Sequence, residues 1–232
     1  MGLTCISRPW LLSGYCAVHV AVHADGHANV SSYLDDGFCA QFNDYCSYVG
    51  WSLFERRIVE ELAGARLSVS YGGLTRDPAT KAAMVLALES TQSDGTFNSA
   101  YYGNTTAYTR DVVSNHAVLV TDILFVMLAI QRCNSAAAVV PTPTTEAMRT
   151  PTWEEIVDTH GIARRVADQA PGLIDTIDWT RIEALSEQML SGGRRFYDNL
   201  INGLDDLGID TDDPLHLLLA VRRLGAREIE QR

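Results

Sequence analysis

The sequence has little positive charge. Lys81 is the only lysine among 18 basic residues, and 29 acidic residues give a formal net charge of −11 at pH 7. Such a chain lacks the basic face that neutralises the phosphates of nucleic acids or the headgroups of anionic lipids. We therefore expect neither nucleic acid nor a membrane as a partner, which leaves small metabolites and other proteins.

Cysteines are few and unpaired in sequence. Five occur in 232 residues, at positions 5, 16, 39, 46 and 133, and none forms a CxxC pair. This usage is typical of reduced, structural thiols. Residues 1–24 contain a single arginine, Arg8, and do not resemble a secretory signal, so we predict a cytoplasmic protein. The most apolar run, 118–130, contains Asp122 and is shorter than the roughly 20 residues that span a bilayer, which predicts a buried helix.

Common catalytic signatures are also missing. The sequence contains no nucleophile elbow, phosphate-binding loop, zinc signature or dinucleotide-binding fingerprint. His19, His23 and His27 are spaced by four, but the run around them alternates as a strand does and Gly26 disfavours a helix. A strand would separate the outer two imidazoles by roughly 26 Å, so we predict no metal site. A helix would place them one turn apart, which leaves a divalent metal as the alternative.

What the chain does contain is an alternation of strands and helices. Apolar periodicity predicts helices over 38–64, from Pro78 after the cap Asp77, over 114–133, and from Thr152, which has capping-box spacing to Glu155. Short strands are predicted at 65–71, 96–102 and 136–140. Consecutive strand–loop–helix units give parallel sheets, hence an α/β barrel or an open doubly wound sheet.

Only helices are predicted after residue 178. One covers 180–200 with an interruption at the adjacent glycines 192 and 193, and another covers 214–224 between Asp213 and Gly225. The sequence thus suggests three segments: a poorly assigned stretch 1–30, (β/α) barrel units over 31–177, and a C-terminal helical appendage over 178–232.

In parallel α/β folds, ligands bind beyond the carboxyl ends of the strands. The predicted loops there are 71–77, 101–111 and 141–150. They offer aromatic and charged candidates, namely Tyr71, Arg76, Tyr101, Tyr102, Tyr108, Arg110, Glu146 and Arg149. The alternative is that these tyrosines pack within the loops and these arginines pair with neighbouring acids.

The third loop carries a resemblance to a known family. The segment VVPTPTTEAMRTPTWEEI, with HAVLVTDILFVMLAI before it and LSGGRRFYDNLINGLDDLGI after it, resembles the large subunit of adenosylcobalamin-dependent glutamate mutase, also called methylaspartate mutase. LSVSYGG followed by DPATKAAMVLALE resembles an earlier part of the same barrel. The resemblance extends over about residues 38–230.

This resemblance implies a (β/α)₈ barrel that shares adenosylcobalamin with a small cobalamin-binding subunit. The implied reaction is a radical rearrangement of glutamate to 3-methylaspartate, or of a related amino acid. Glu146 matches the family carboxylate that holds the ribose of the adenosyl group, and Thr142 stands where the family has a lysine. Tyr71 and Arg149 are expected as further residues of the barrel mouth.

A whole barrel of eight strand–helix units needs about 200–250 residues. Only three or four such units are recognisable in this sequence, so the chain resembles the second half of that barrel. The resemblance therefore also implies a homo- or hetero-oligomer. Two alternatives remain at this point. One is an inactive half-barrel that acts as an interaction or structural protein, and the other is an unrelated α/β protein with a helical tail.

Overall fold

The computed structural model describes residues 22–23, 29–35, 40, 42–72, 75, 77–92, 99–103 and 107–231. They fall into two compact units. The first comprises Met1–Leu34, Gln41–Val69 and Gln188–Arg232, and the second comprises Asp35–Ala40 and Ser70–Glu187. The chain thus returns after residue 187 to the first unit.

The sheet has four parallel strands. They are β1 (Asn29–Asp35), β2 (Arg66–Gly72), β3 (Ala100–Tyr102) and β4 (Ala138–Val140), and they lie in the order β1-β2-β3-β4. The predicted α/β class with a parallel sheet is confirmed, and β1 precedes the three strands that the alternation predicted.

Seven helices complete the described part of the chain. They are α1 (Tyr45–Arg56), α2 (Pro78–Glu89), α3 (Val112–Arg132), α4 (Trp153–Gln169), α5 (Thr180–Asp206), α6 (Pro214–Leu224) and α7 (Ala226–Gln231). A π-helical turn, Arg57–Leu62, extends α1, and two 3-10 turns, Ala170–Gly172 and Ile174–Thr176, follow α4.

The predicted helix starts are confirmed by their caps. The carboxylate of Asp77 accepts a hydrogen bond from the Thr80 amide, which satisfies one of the free donors of the first turn of α2. Thr152 and Glu155 form the reciprocal capping box at the start of α4. Asp213 caps α6 in the same way as Asp77 caps α2.

The helix predicted over 38–64 ends where expected, because Gly64 has the positive φ of 68° that suits a residue without a side chain. Its start lies later than predicted, at Tyr45, where the side chain of Asp44 accepts a hydrogen bond from the Ser47 amide.

The predicted interruption at Gly192 and Gly193 is wrong, because α5 continues through both residues. A Cβ atom on Gly193 would lie 2.9 Å from the amide nitrogen of Gly50, and one on Gly192 would overlap the thiol of Cys46. The two glycines therefore serve the close approach of α5 to α1 in the first unit and do not break the helix.

Helix α3 contains the apolar run 118–130. With 21 residues, it is long and apolar enough to cross a membrane, so the length argument drawn from the shorter run is wrong. Part of the helix is buried in the second unit, where it packs against α2 and α4. Length and composition alone do not distinguish such a core helix from a membrane span.

The core of the second unit includes a cluster of Tyr108, Leu119 and Ile123. Side chains of β4 and α4 pack against this cluster, namely Val139, Ile162, Ala163 and Val166. This contact packs the second half of α4 against α3 and β4.

Candidate functional site

Three strands of the sheet end level with one another. Gly72 of β2 lies beside Tyr102 of β3, which lies beside Val140 of β4. Because the strands are parallel, the loops that follow them start at one edge. The sequence-based expectation that these three loops share one edge is therefore confirmed.

A cavity of about 360 Å³ lies beside this edge, between the start of α2 and helix α3. Thr75 and Pro78 line it on one side, and Thr121 and Asp122 on the other. Its volume is in the range of pockets that hold small molecules.

Asp122, which lines the cavity, is held in place by Lys81, the only lysine of the chain. The Lys81 ammonium donates to the two carboxylate oxygens of Asp122 at 2.6 and 2.7 Å, and to the carbonyl of Tyr102 at 2.9 Å. All three protons of the ammonium are thus used, and the positive charge is neutralised inside the protein. Lys81 therefore holds α2, α3 and the end of β3 together.

Asn115 joins the second and third loops. Its side chain is fully buried, and its amide nitrogen donates to the carbonyls of Thr109 at 2.8 Å and Thr144 at 2.7 Å. Its amide oxygen accepts from the Thr109 backbone at 2.8 Å. One amide group thus fixes the loop before α3 to the loop before α4.

A second link between these loops runs through Tyr108, whose hydroxyl donates to the carbonyl of Thr142 at 2.8 Å. Burial raises the pKa of Tyr108, and the nearby charges of Asp122 and Glu146 raise it further, so this hydroxyl keeps its proton. Thr142 also packs against Gly103, where a Cβ atom would lie 2.8 Å from the threonine hydroxyl oxygen. The third loop is therefore firmly held at its base.

Glu146 lies near the middle of this held loop. Its backbone nitrogen donates to the carbonyl of Pro143 at 3.1 Å, which forms a tight turn. Its side chain is exposed, and within the described residues its carboxylate has no hydrogen-bond or ion-pair partner. Partial burial raises the pKa of this carboxyl group above its usual value. Glu146 thus presents an exposed carboxylate on the loop that follows β4.

Arg149 is on the same loop but has a partner. Its guanidinium donates to both carboxylate oxygens of Glu155, at 2.9 and 2.6 Å. Hydrogen bonds from Arg149 and from the Thr152 amide lower the pKa of Glu155 to about 2. Arg149 therefore connects the loop to the first turn of α4.

The structure separates the four residues that the family resemblance indicated. It brings Thr142, Glu146 and Arg149 together on the third loop, whereas Tyr71 is completely buried within β2. A ring without exposed surface does not reach a ligand at the edge, so we leave Tyr71 out of the candidate site.

The other loop candidates are divided in the same way. Tyr101 is buried and donates its hydroxyl to Glu89 at 2.6 Å, Tyr102 is half-buried, and Arg110 is exposed before α3. Arg76 lies outside the described residues.

Sequence reasoning missed Lys81 and Asn115 as residues that shape the edge. A signal for the lysine did exist, since a lone lysine in a helix of apolar residues needs a buried partner, and Asp122 is the acid inside the next apolar run. Asn115 gave no comparable signal.

No metal centre is seen in the described part of the chain, where no group of three or more potential ligands occurs. Of the three evenly spaced histidines, His23 is exposed, and His19 and His27 lie outside the described residues. Cys46 and Cys133 are free thiols, and the other three cysteines lie outside the described residues.

Comparisons with known proteins do not identify a family. No protein-family model matches the sequence, and no curated protein matches it either.

Proposed function

We propose that the chain is a subunit of an adenosylcobalamin-dependent carbon-skeleton mutase, an isomerase that acts on glutamate or a related amino acid. The proposal starts from the sequence resemblance of the third loop and the elements around it. The observation that carries it furthest is the carboxylate of Glu146, which has no partner among the described residues and is exposed on a firmly held loop at the carboxyl edge of a parallel sheet.

The strand order supports a barrel segment as the setting. The four strands follow one another in sequence across the sheet, and a helix follows each of them. With right-handed crossovers, this order places the helices on one face of the sheet, as in a (β/α)₈ barrel. A doubly wound sheet instead reverses its strand order at a switch point. We therefore propose that these four strands belong to a TIM-barrel-like sheet.

Glu146 fits the contact that the cofactor requires. An ionised carboxylate accepts hydrogen bonds from two adjacent hydroxyl groups, such as those of a ribose, and adds no donor that competes for them. When bound, adenosylcobalamin supplies an organic radical through cleavage of its cobalt–carbon bond. In this proposal a small cobalamin-binding subunit presents the cofactor, and Glu146 orients the adenosyl group.

The remaining loop residues position that carboxylate. The ion pair between Arg149 and Glu155 holds one end of the loop, and the bonds to the carbonyls of Thr142 and Thr144 hold the other. A loop held at both ends loses little freedom when a ligand binds, which favours affinity. In this proposal the cavity beside Asp122 takes the small amino-acid substrate.

The test is adenosylcobalamin binding by the purified chain mixed with a small cobalamin-binding mutase subunit and glutamate. We expect the cofactor to co-elute with both chains in gel filtration, with a change in its visible spectrum. Glu146→Gln should weaken binding by about tenfold, because it replaces a charged acceptor with a neutral one. Its melting temperature should stay within about 2 °C of the wild-type value, since the carboxylate supports no other described contact.

Asp175→Asn is the matched control, because it neutralises an acid in the 3-10 turn Ile174–Thr176 of the same unit. It should leave cofactor binding unchanged. The proposal fails if the wild-type mixture retains no cofactor, or if the control weakens binding as much as Glu146→Gln does.

A second function is favoured by what the structure shows of the other candidate site residues. Tyr71 is buried, Arg149 is engaged with Glu155, and Thr142 replaces the family lysine. A half-barrel that has lost catalysis and serves as an interaction or structural protein would have this pattern. Absence of cofactor binding from an assembled complex would support it.

A further inference from the structure

Helix α4 exposes large apolar side chains in its first turns, on the side away from the core. Its inner face includes Thr159, Ile162 and Val166. On the outer face, Trp153 is 71% exposed and Val157 is 59% exposed. Large apolar side chains in consecutive turns of a surface helix mark an interaction site more often than single exposed ones do.

This outer face follows the spacing of a helix that packs against another helix. Positions 153, 157, 160 and 164 recur every three or four residues and form one stripe. They are occupied by Trp153, Val157, His160 and Arg164, and Ile156, which is 43% exposed, lies beside them.

A line of charged residues runs along one side of the stripe. Positions 154, 158, 161 and 165 are again spaced by three or four, and they hold Glu154, Asp158, Gly161 and Arg165. The line is acidic in the first half of the helix and basic at its end. The Arg165 guanidinium donates to the Gly161 carbonyl at 3.4 Å and lies 3.6 Å from where a Cβ atom on Gly161 would be, so its charge lies over the middle of the line.

We propose that the outer face of α4 binds the same face of a second copy of this chain, with the two helices antiparallel. A two-fold axis that passes between Thr159 and His160 places the charged line of one copy against the charged line of the other. Glu154 then lies opposite the second copy's Arg165, and Asp158 lies opposite the second copy's Gly161. Because the Arg165 guanidinium lies over Gly161, both acidic residues of the line then face the second copy's Arg165.

The direction of packing follows from these charges. In a parallel pair with its two-fold axis along the helices, the charged lines of the two copies lie on opposite sides of the contact, so Glu154 and Arg165 do not meet. The antiparallel pair forms two equivalent ion pairs and has the two-fold symmetry that most homodimers use. It also brings Trp153 close to the second copy's Arg164, where a guanidinium can stack on the indole.

The size of the contact sets the expected affinity. A helix of 17 residues is about 25 Å long, so one helix pair forms a contact at the small end of specific interfaces. We therefore expect a dimer with a dissociation constant in roughly the micromolar range. Its mass should depend on concentration in sedimentation velocity and in gel filtration with light scattering.

A charge swap tests the geometry. Arg165→Glu should weaken the dimer about tenfold or more, because two-fold symmetry places each substitution in the interface twice. Glu154→Arg should weaken it similarly, and the double variant E154R/R165E should restore it to within about threefold. Trp153→Ala should also weaken the dimer, through the apolar stripe and without a change in charge.

Arg222→Glu is the matched control, because it makes the same charge change at an exposed position on α6. It should leave the dissociation constant unchanged. Far-ultraviolet circular dichroism and melting curves show whether each variant is folded, since all the substituted side chains are exposed.

Three results would overturn the proposal. The first is a wild-type chain that stays monomeric up to about 100 μM. The second is a dimer that is not rescued by the double variant. The third is a monomer that binds lipid vesicles through Trp153, which would assign the face to a lipid surface. None of these measurements involves cobalamin, so the dimer stands or fails independently of the proposed mutase activity.

Discussion

The ammonium group of Lys81 and the carboxylate of Asp122 form a buried ion pair, with nitrogen–oxygen distances of 2.6 and 2.7 Å. Both side chains are largely removed from solvent, and the carbonyl of Tyr102 takes the third proton of the ammonium. The pair crosses from α2 to α3 at the carboxyl edge of the sheet. It therefore links the stability of the second unit to the shape of the cavity.

Breaking this pair on one side should be costly. Asp122→Ala leaves the Lys81 charge buried without its counterion, so we expect the free energy of unfolding to fall by about 3–5 kcal/mol in urea denaturation at neutral pH. The double variant K81M/D122L replaces both charges with apolar groups and should recover most of that loss. If Asp122→Ala and the double variant were equally destabilised, the ion pair would not be the cause.

Glu55 should make the stability of the first unit depend on pH. Its carboxylate is completely buried, one oxygen accepts from the Trp51 indole at 3.0 Å, and burial raises its pKa from 4.5 to about 7. The folded chain therefore holds this proton more tightly than the unfolded chain does. The contribution of Glu55 to the free energy of unfolding is therefore largest below about pH 4.5, and it is lost as the pH rises through 7.

A shift of this size corresponds to about 3 kcal/mol once Glu55 is ionised in both states. Glu55→Gln removes this cost, so the variant should gain stability relative to wild type between pH 5 and pH 8. Urea denaturation at the two pH values measures the difference. If the wild type and Glu55→Gln lost the same free energy of unfolding between pH 5 and pH 8, Glu55 would not titrate near neutral pH.

Two glycines of α5 should respond oppositely to the same substitution. A Cβ atom on Gly193 would lie 2.8 Å from a methyl group of Val49 and 2.9 Å from the backbone of Gly50, so Gly193→Ala should cost about 1–3 kcal/mol. Gly203 has nothing within 4 Å of that position, and Gly203→Ala should gain about 0.5–1 kcal/mol from helix propensity. Thermal unfolding of both variants tests the contrast, and similar effects would contradict the close contact of α5 with α1.

Local sequence features determined where several of the helices start. Asp77, Asp213 and the capping box of Thr152 with Glu155 act within a single helical turn, so the residues that satisfy the free backbone groups are visible in the sequence. The alternation of short strands with helices likewise predicted the parallel sheet, because parallel strands require a crossover between them.

The candidate edge was predictable in part. Its position followed from the strand–loop–helix order, and Glu146 was found through the resemblance of its loop. The partners of the other side chains were not predictable, because each depends on a segment that is distant in sequence. Asn115 meets Thr144, and Tyr71 is covered on all sides by its neighbours.

The sequence by itself therefore determined the α/β class, the helix boundaries set by caps, and the edge at which the loops gather, because these depend on short-range patterns. Only the tertiary structure decided that Gly192 and Gly193 continue a helix, that Lys81 pairs with Asp122, and that the outer face of α4 stays exposed. Burial and pairing depend on segments that are distant in sequence. A glycine, for example, breaks a helix in one setting and allows two helices to pack closely in another.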